Sequence, residues 1–173
     1  RATLARERIA IVEAGFGAGH PLVLRARVSA AHLETDPRRA REALEPPCNL
    51  FVELQPDHGP EILECQFQLG WLAFERRDAA GARLAFERAI AAERAGGTGT
   101  KLVLARAHLE LLAGRHDEAA KLLDAVLVEL GPLAQAKWWV LVDAADVWIA
   151  RAAIALATGR DGDARAAFDA ARE

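Results

Sequence analysis

Hydrophobic residues recur along the chain three and four positions apart, with charged residues between them, and this spacing predicts a succession of helices. Over residues 2–14, Leu4, Ile9, Ile11 and Val12 are interleaved with Arg6, Glu7, Arg8 and Glu13. Gly15, Gly17 and Gly19 stop this helix, and Pro21 opens a second that runs to about residue 34. Asp36-Pro37 caps a third. It is expected to stop at Pro46-Pro47, because consecutive prolines remove two backbone donors and clash with the preceding turn, leaving a short segment over 48–54. Further helices are predicted over 60–76, 79–95, 100–113, 116–130, 132–158 and 161–172. The loops between them are short, so neighbouring helices should pack antiparallel. No stretch reads as a strand.

Three loop-and-helix segments align without gaps: Arg77 to Ala82, Gly114 to Ala119 and Gly159 to Ala164. Thr35 to Ala40 is a weaker copy. Four residues beyond each alanine stands a large apolar residue: Leu44, Phe86, Leu123 and Phe168. Three further on, Ala89, Val126 and Ala171 are small or apolar. A small side chain lets two helices approach closely, and the bulky one a turn later fills the space beside it.

This pattern resembles the tetratricopeptide repeat (TPR) family, in which an aromatic and Leu-Gly mark the first helix, and Ala, an aromatic and Ala mark the second. Residues 63–96 match through Leu69, Gly70, Ala82, Phe86 and Ala89. Residues 145–173 match through Trp148, Ala164, Phe168 and Ala171. The spacing of the key alanines, Ala40, Ala82, Ala119 and Ala164, varies. It is similar to kinesin-light-chain repeats and to helical repeats of large bacterial regulators. Ile9 to Pro21 also resembles the helix end and Gly-x-x-His-Pro linker of such repeats.

The resemblance implies an all-α, right-handed superhelical solenoid of antiparallel helix pairs. It implies a single domain over 1–173, with a partial repeat over about 1–20 and repeats over 21–56, 60–97, 98–131 and 132–173. Arg1 would then lie inside an earlier repeat, and the absence of methionine fits a fragment of a longer protein.

In the family, first helices line a concave groove that takes a protein or peptide partner. The corresponding positions are Arg25, Ser29, His32, Glu64, Phe67, Trp71, Phe74, Lys101, Leu104 and His108. Phe67, Trp71 and Phe74 form one stripe of a helix. They are either core or, at Trp71, an anchor for a partner. Trp138 and Trp139 are adjacent, so their side chains point about 100° apart. Either the helix is covered on two sides, or one tryptophan marks a second contact surface, with a partner or a second copy. Family members that clamp chaperone tails use Lys and Asn in successive first helices. Arg25, Ser29, Gln68, Lys101 and Ala105 occupy those places, which lack both asparagines, so that activity is not expected.

Composition narrows the field further. Alanine supplies 39 of 173 residues, Ser29 and Asn49 are the only serine and asparagine, and 52% of the chain is hydrophobic. A β-sandwich needs β-branched and turn residues that are scarce here, and disorder is excluded by the apolar content. The net charge of −3 points to neither nucleic acid nor an anionic membrane. The apolar run from Trp138 to Thr158 contains Asp143, Asp146 and Arg151. Each costs roughly 2.5–3.5 kcal/mol at a bilayer centre, so a buried helix is expected instead of a span.

Gly96-Gly97-Thr98-Gly99-Thr100-Lys101 lacks the Gly-Lys-Ser/Thr order of a phosphate loop. Cys48, His58 and Cys65 lack metal-ligand spacing, and the two cysteines are expected to be free thiols in a reducing cytoplasm. Ser29 sits in no nucleophile elbow. The expectation is a non-enzymatic cytoplasmic scaffold without cofactor or metal. It would bind a protein or peptide as the repeat region of a larger bacterial signalling protein. The alternative is a self-association module, a homodimer platform, or a small-ligand sensor of a kinase or transcription regulator.

Overall fold

The computed structural model describes residues 2–31, 33–96, 99–130 and 138–172, and only the backbone for 2–6 and 138–143. Among the described residues there are nine α-helices and no strand. They are α1 (Ala2–Phe16), α2 (Pro21–Ala31), α3 (Pro37–Leu54), α4 (Gly59–Glu75), α5 (Ala79–Ala91), α6 (Thr100–Leu112), α7 (His116–Leu130), α8 (Trp138–Ala157) and α9 (Asp161–Ala170). A 3-10 turn, Ala92–Ala95, follows α5. The chain divides into two compact units, Arg1–Thr98 and Gly99–Glu173. In the first, α1 packs on α2, α2 pairs with α3, and α4 pairs with α5. In the second, α6 pairs with α7 and α8 with α9.

The α4–α5, α6–α7 and α8–α9 pairs are each closed by a turn that the sequence repeats. In all three complete copies a backbone N–H reaches back five residues to a helix carbonyl: Asp78 to Ala73, Arg115 to Glu110 and Arg160 to Ala155, at 2.8–2.9 Å. This bond satisfies the carbonyls left over at a helix end and needs a left-handed residue just before it. Gly114 (φ 74°) and Gly159 (φ 70°) supply it cheaply, whereas in the first copy the residue is Arg77 (φ 60°). The next helix is then capped. The Asp78 carboxylate accepts from the Gly81 N–H at 2.9 Å, and Asp36 likewise accepts from Arg38 and Arg39.

The repeat residues explain how closely the helices approach. Ala82, Phe86, Ala89, Ala119 and Leu123 are fully buried; Ala164, Leu69 and Gly70 are also buried. Ala40, Trp148 and Ala171 are half-buried. Phe168 differs: it is 44% exposed, while its counterparts Leu44, Phe86 and Leu123 are all in the core. Ala164 and Ala167, both buried, are on the helix that pairs with α8.

Two expectations are overturned in α3. The helix does not stop at Pro46-Pro47 but runs through them to Leu54. Leu44, Pro47, Cys48 and Phe51 are buried at i, i+3, i+4 and i+7, one apolar stripe whose burial outweighs the two lost backbone bonds. The cysteines are not free thiols. Cys48 of α3 and Cys65 of α4, both fully buried, form a disulfide.

Other boundaries shift by a few residues. The second helix ends at Ala31, the fifth gives way to the 3-10 turn at Ala92, and the last ends at Ala170. The predicted helix start at Gly131-Pro132 lies outside the described residues.

Candidate functional site

Three of the sequence-predicted groove residues line one cavity of about 330 Å³ in the first unit. Arg25 and Ser29 come from α2 and Glu64 from α4. Val28 of α2, Phe51 of α3 and Pro60 and Glu61 of α4 complete it. Phe51 reaches the floor only because α3 continues past its prolines, and the Cys48–Cys65 bond, one turn away, ties α3 to α4.

Val28 and Phe51 are buried and give an apolar floor; the rim is charged. The Arg25 guanidinium donates to the Glu61 carboxylate, and His58 Nδ1 lies 3.7 Å from the other oxygen of Glu61. Glu64 accepts from the Gln68 amide at 3.4 Å. Glu61 and Glu64 place two carboxylates on this rim, and Ser29 adds a hydroxyl that both donates and accepts. An apolar floor with a few convergent polar groups suits a side chain or a short extended segment. No nucleophile–base pair is present among the described residues of this cavity.

The remaining predicted positions are distributed differently. Phe67 is buried, its ring 5.9 Å from Phe86. Trp71 and Phe74 are half-buried with ring centroids 6.4 Å apart, so Trp71 keeps one partly accessible face on the same helix as Glu64. Lys101 is half-buried on α6. Leu104 and His108 are buried and line no surface. His108 Nδ1 lies 2.8 Å from the Leu104 carbonyl. A carbonyl only accepts, so Nδ1 carries the proton of the neutral ring, and burial pushes the ring's pKa down to about 4. His32 and the side chains of Trp138 and Trp139 lie outside the described residues.

Sequence reasoning missed Val28, Phe51, Pro60 and Glu61. Glu61 was within reach, since it lies one turn before Glu64 on the same stripe of α4. Phe51 was not, because the proline rule detached it from α3. Among the described residues no three His, Cys, Asp or Glu side chains are grouped to hold a metal, and no helix is long and apolar enough to cross a membrane.

The helix pairs and their repeated turn define an all-α helical-repeat architecture. No protein-family model matches the chain, and no curated protein matches its sequence. Its fold is similar to the crystal structure of a kinesin-light-chain-like protein of Podosopora anserina with nearly identical TPR-like repeats. There the TM-score is 0.56 at 19% identity, over 99% of this chain and 83% of that one. A point variant of the same protein gives a TM-score of 0.58 with the same identity and coverage. The fold of this chain is therefore the TPR-like repeat fold.

Proposed function

We propose that this chain is a protein-interaction scaffold that binds a peptide segment of a protein partner in the cavity of its first unit. The observation that carries this reading is the convergence of Arg25, Ser29 and Glu64 over the Val28–Phe51 floor. The chemistry favours a segment with one apolar side chain for the floor and a hydrogen-bonding group for the Ser29 hydroxyl. In this reading the protein is not an enzyme and needs no cofactor, and neither nucleic acid nor membrane is its partner. The repeats form the regulatory region of a larger bacterial signalling protein. The buried Cys48–Cys65 bond supports an oxidising compartment in place of the cytoplasm expected from sequence.

A displayed library of random peptides, selected on the folded chain, tests the reading. Enriched peptides should pair an apolar with a hydrogen-bonding residue. Their affinity should fall at least about tenfold when Ser29→Trp fills the cavity, and by a similar factor in Glu64→Lys. Selected peptides that bind both folded variants as tightly as the parent would refute it.

A further inference from the structure

The cavity of the first unit straddles two helix pairs. Arg25, Val28 and Ser29 of α2 and Phe51 of α3 come from one pair, and Pro60, Glu61 and Glu64 of α4 come from the next. Its shape therefore depends on how α3 lies against α4. The Cys48–Cys65 bond joins those two helices beside the cavity. Cys48 precedes Phe51 by one turn of α3, and Cys65 follows Glu61 by one turn and Glu64 by one residue on α4.

We infer that this disulfide is a redox switch for the cavity. Oxidised, it holds the Phe51 floor and the α4 wall in register to receive a peptide; reduced, it lets α3 and α4 part, and the site loses its shape. The switch rests on the peptide-binding reading above and adds the regulation of that site.

Both cysteines are fully buried. Two sulfurs that are no longer bonded repel one another to van der Waals contact. In a close-packed interior with no solvent to turn toward, that displacement passes to the helices that carry them. Two ion pairs that cross the same boundary resist it weakly. Arg25 pairs with Glu61, and Arg41 of α3 with Asp78 at the start of α5, through partly exposed side chains, and such pairs contribute little.

The reductant is a dithiol. One of its thiolates attacks a cysteine sulfur, breaking the S–S bond and releasing the other cysteine as a thiolate that takes up a proton. The second thiolate of the reductant then displaces the first cysteine from the mixed disulfide. Two electrons and two protons pass to the protein, and the reductant leaves as its own disulfide. Because both sulfurs are buried, attack waits for the helices to open locally. A seated peptide stabilises the closed form and so slows the attack.

The probe is the tightest-binding peptide selected from the displayed library, titrated by fluorescence anisotropy into the full chain. Titrations are made with the bond intact, after dithiothreitol, and after reoxidation. Reduction should weaken binding at least about tenfold, and reoxidation should restore it. Saturating peptide should slow the appearance of thiols at least about tenfold. The chain has only these two cysteines, so the affinity of Cys48→Ala with Cys65→Ala should not respond to dithiothreitol. Hydrogen exchange should quicken over 44–54 and 60–66 in the reduced chain and stay unchanged over α6 and α7. Loss of helix throughout would make the bond a requirement of the fold and overturn the switch. Equal affinities of the oxidised and reduced chains, or a response of the double variant, would overturn it and leave peptide binding standing. A library that yields no binder of the oxidised chain would overturn both.

Discussion

One edge of the Phe86 ring lies against Gly70, so close that a β-carbon on the glycine would come within 2.6 Å of it. The ring is fully buried and also meets Phe67, so it has nowhere to withdraw. Gly70→Ala gains about 1 kcal/mol of helix propensity but forces overpacking that costs roughly 1–3 kcal/mol. Urea unfolding should show a net loss of up to about 2 kcal/mol. Gly162→Ala in α9, where nothing lies within 4 Å, is the control and should not destabilise. A stabilised Gly70→Ala variant would mean that the ring moves.

Arg77 is the one described non-glycine residue with positive φ, at the place where the other copies have Gly114 and Gly159. A left-handed conformation costs a side-chain-bearing residue roughly 1–2 kcal/mol, and the extra unfolded-state freedom of glycine offsets about half of that. Arg77→Gly should therefore raise stability by about 0.5–1 kcal/mol. Thermal unfolding would show an increase of a few degrees. A decrease would show that the arginine side chain contributes more than its backbone costs.

The Cys48–Cys65 bond joins residues 17 positions apart in the sequence, and for a loop of that size chain entropy gives about 3 kcal/mol of stabilisation. Titration of the denatured, unreduced chain with a thiol reagent should find no free thiol. Cys48→Ala with Cys65→Ala should unfold at clearly lower urea. Two thiols in protein taken from its natural compartment would contradict the bond.

His108 makes stability depend on pH. Its folded pKa, about 4, lies below the ordinary 6.5, so below pH 6.5 the unfolded chain binds a proton that the folded chain does not. The stabilising contribution is full above pH 6.5, falls by up to about 1.4 kcal/mol per pH unit below it, and levels off near pH 4. Unfolding curves between pH 7.5 and 4.5 should be steeper in pH for the parent than for His108→Gln. Parallel pH profiles would place the histidine in contact with water.

Much of the architecture was legible because repeat turns leave strong local marks. Arg77-Asp78, Gly114-Arg115 and Gly159-Arg160 all sit at the turns that their spacing implied, and alanines mark close helix contacts. The site was only partly legible. Arg25, Ser29 and Glu64 share a stripe with any solvent-facing residue of a first helix, and register alone does not say which of them meet. The disulfide was hidden because the two cysteines read as free thiols of a reducing cytoplasm, and Phe51 for a structural reason. A local rule about proline was overridden by a buried stripe from Leu44 to Phe51, and burial of that kind is decided by partners distant in sequence. Leu104 and His108 show the converse, positions of groove register that packing places in the core.

The cross-link in the first unit has a mechanical side. In a stack of helix pairs each pair holds mainly to its neighbours, so such arrays open from an end, one pair at a time. Cys48 belongs to the α2–α3 pair and Cys65 to the α4–α5 pair, so the bond spans the seam at which peeling would begin. Pulled from its amino end, the first unit would release α1 and α2 early and then meet a stitch that force alone does not part, which keeps Phe51 and Glu64 side by side under load.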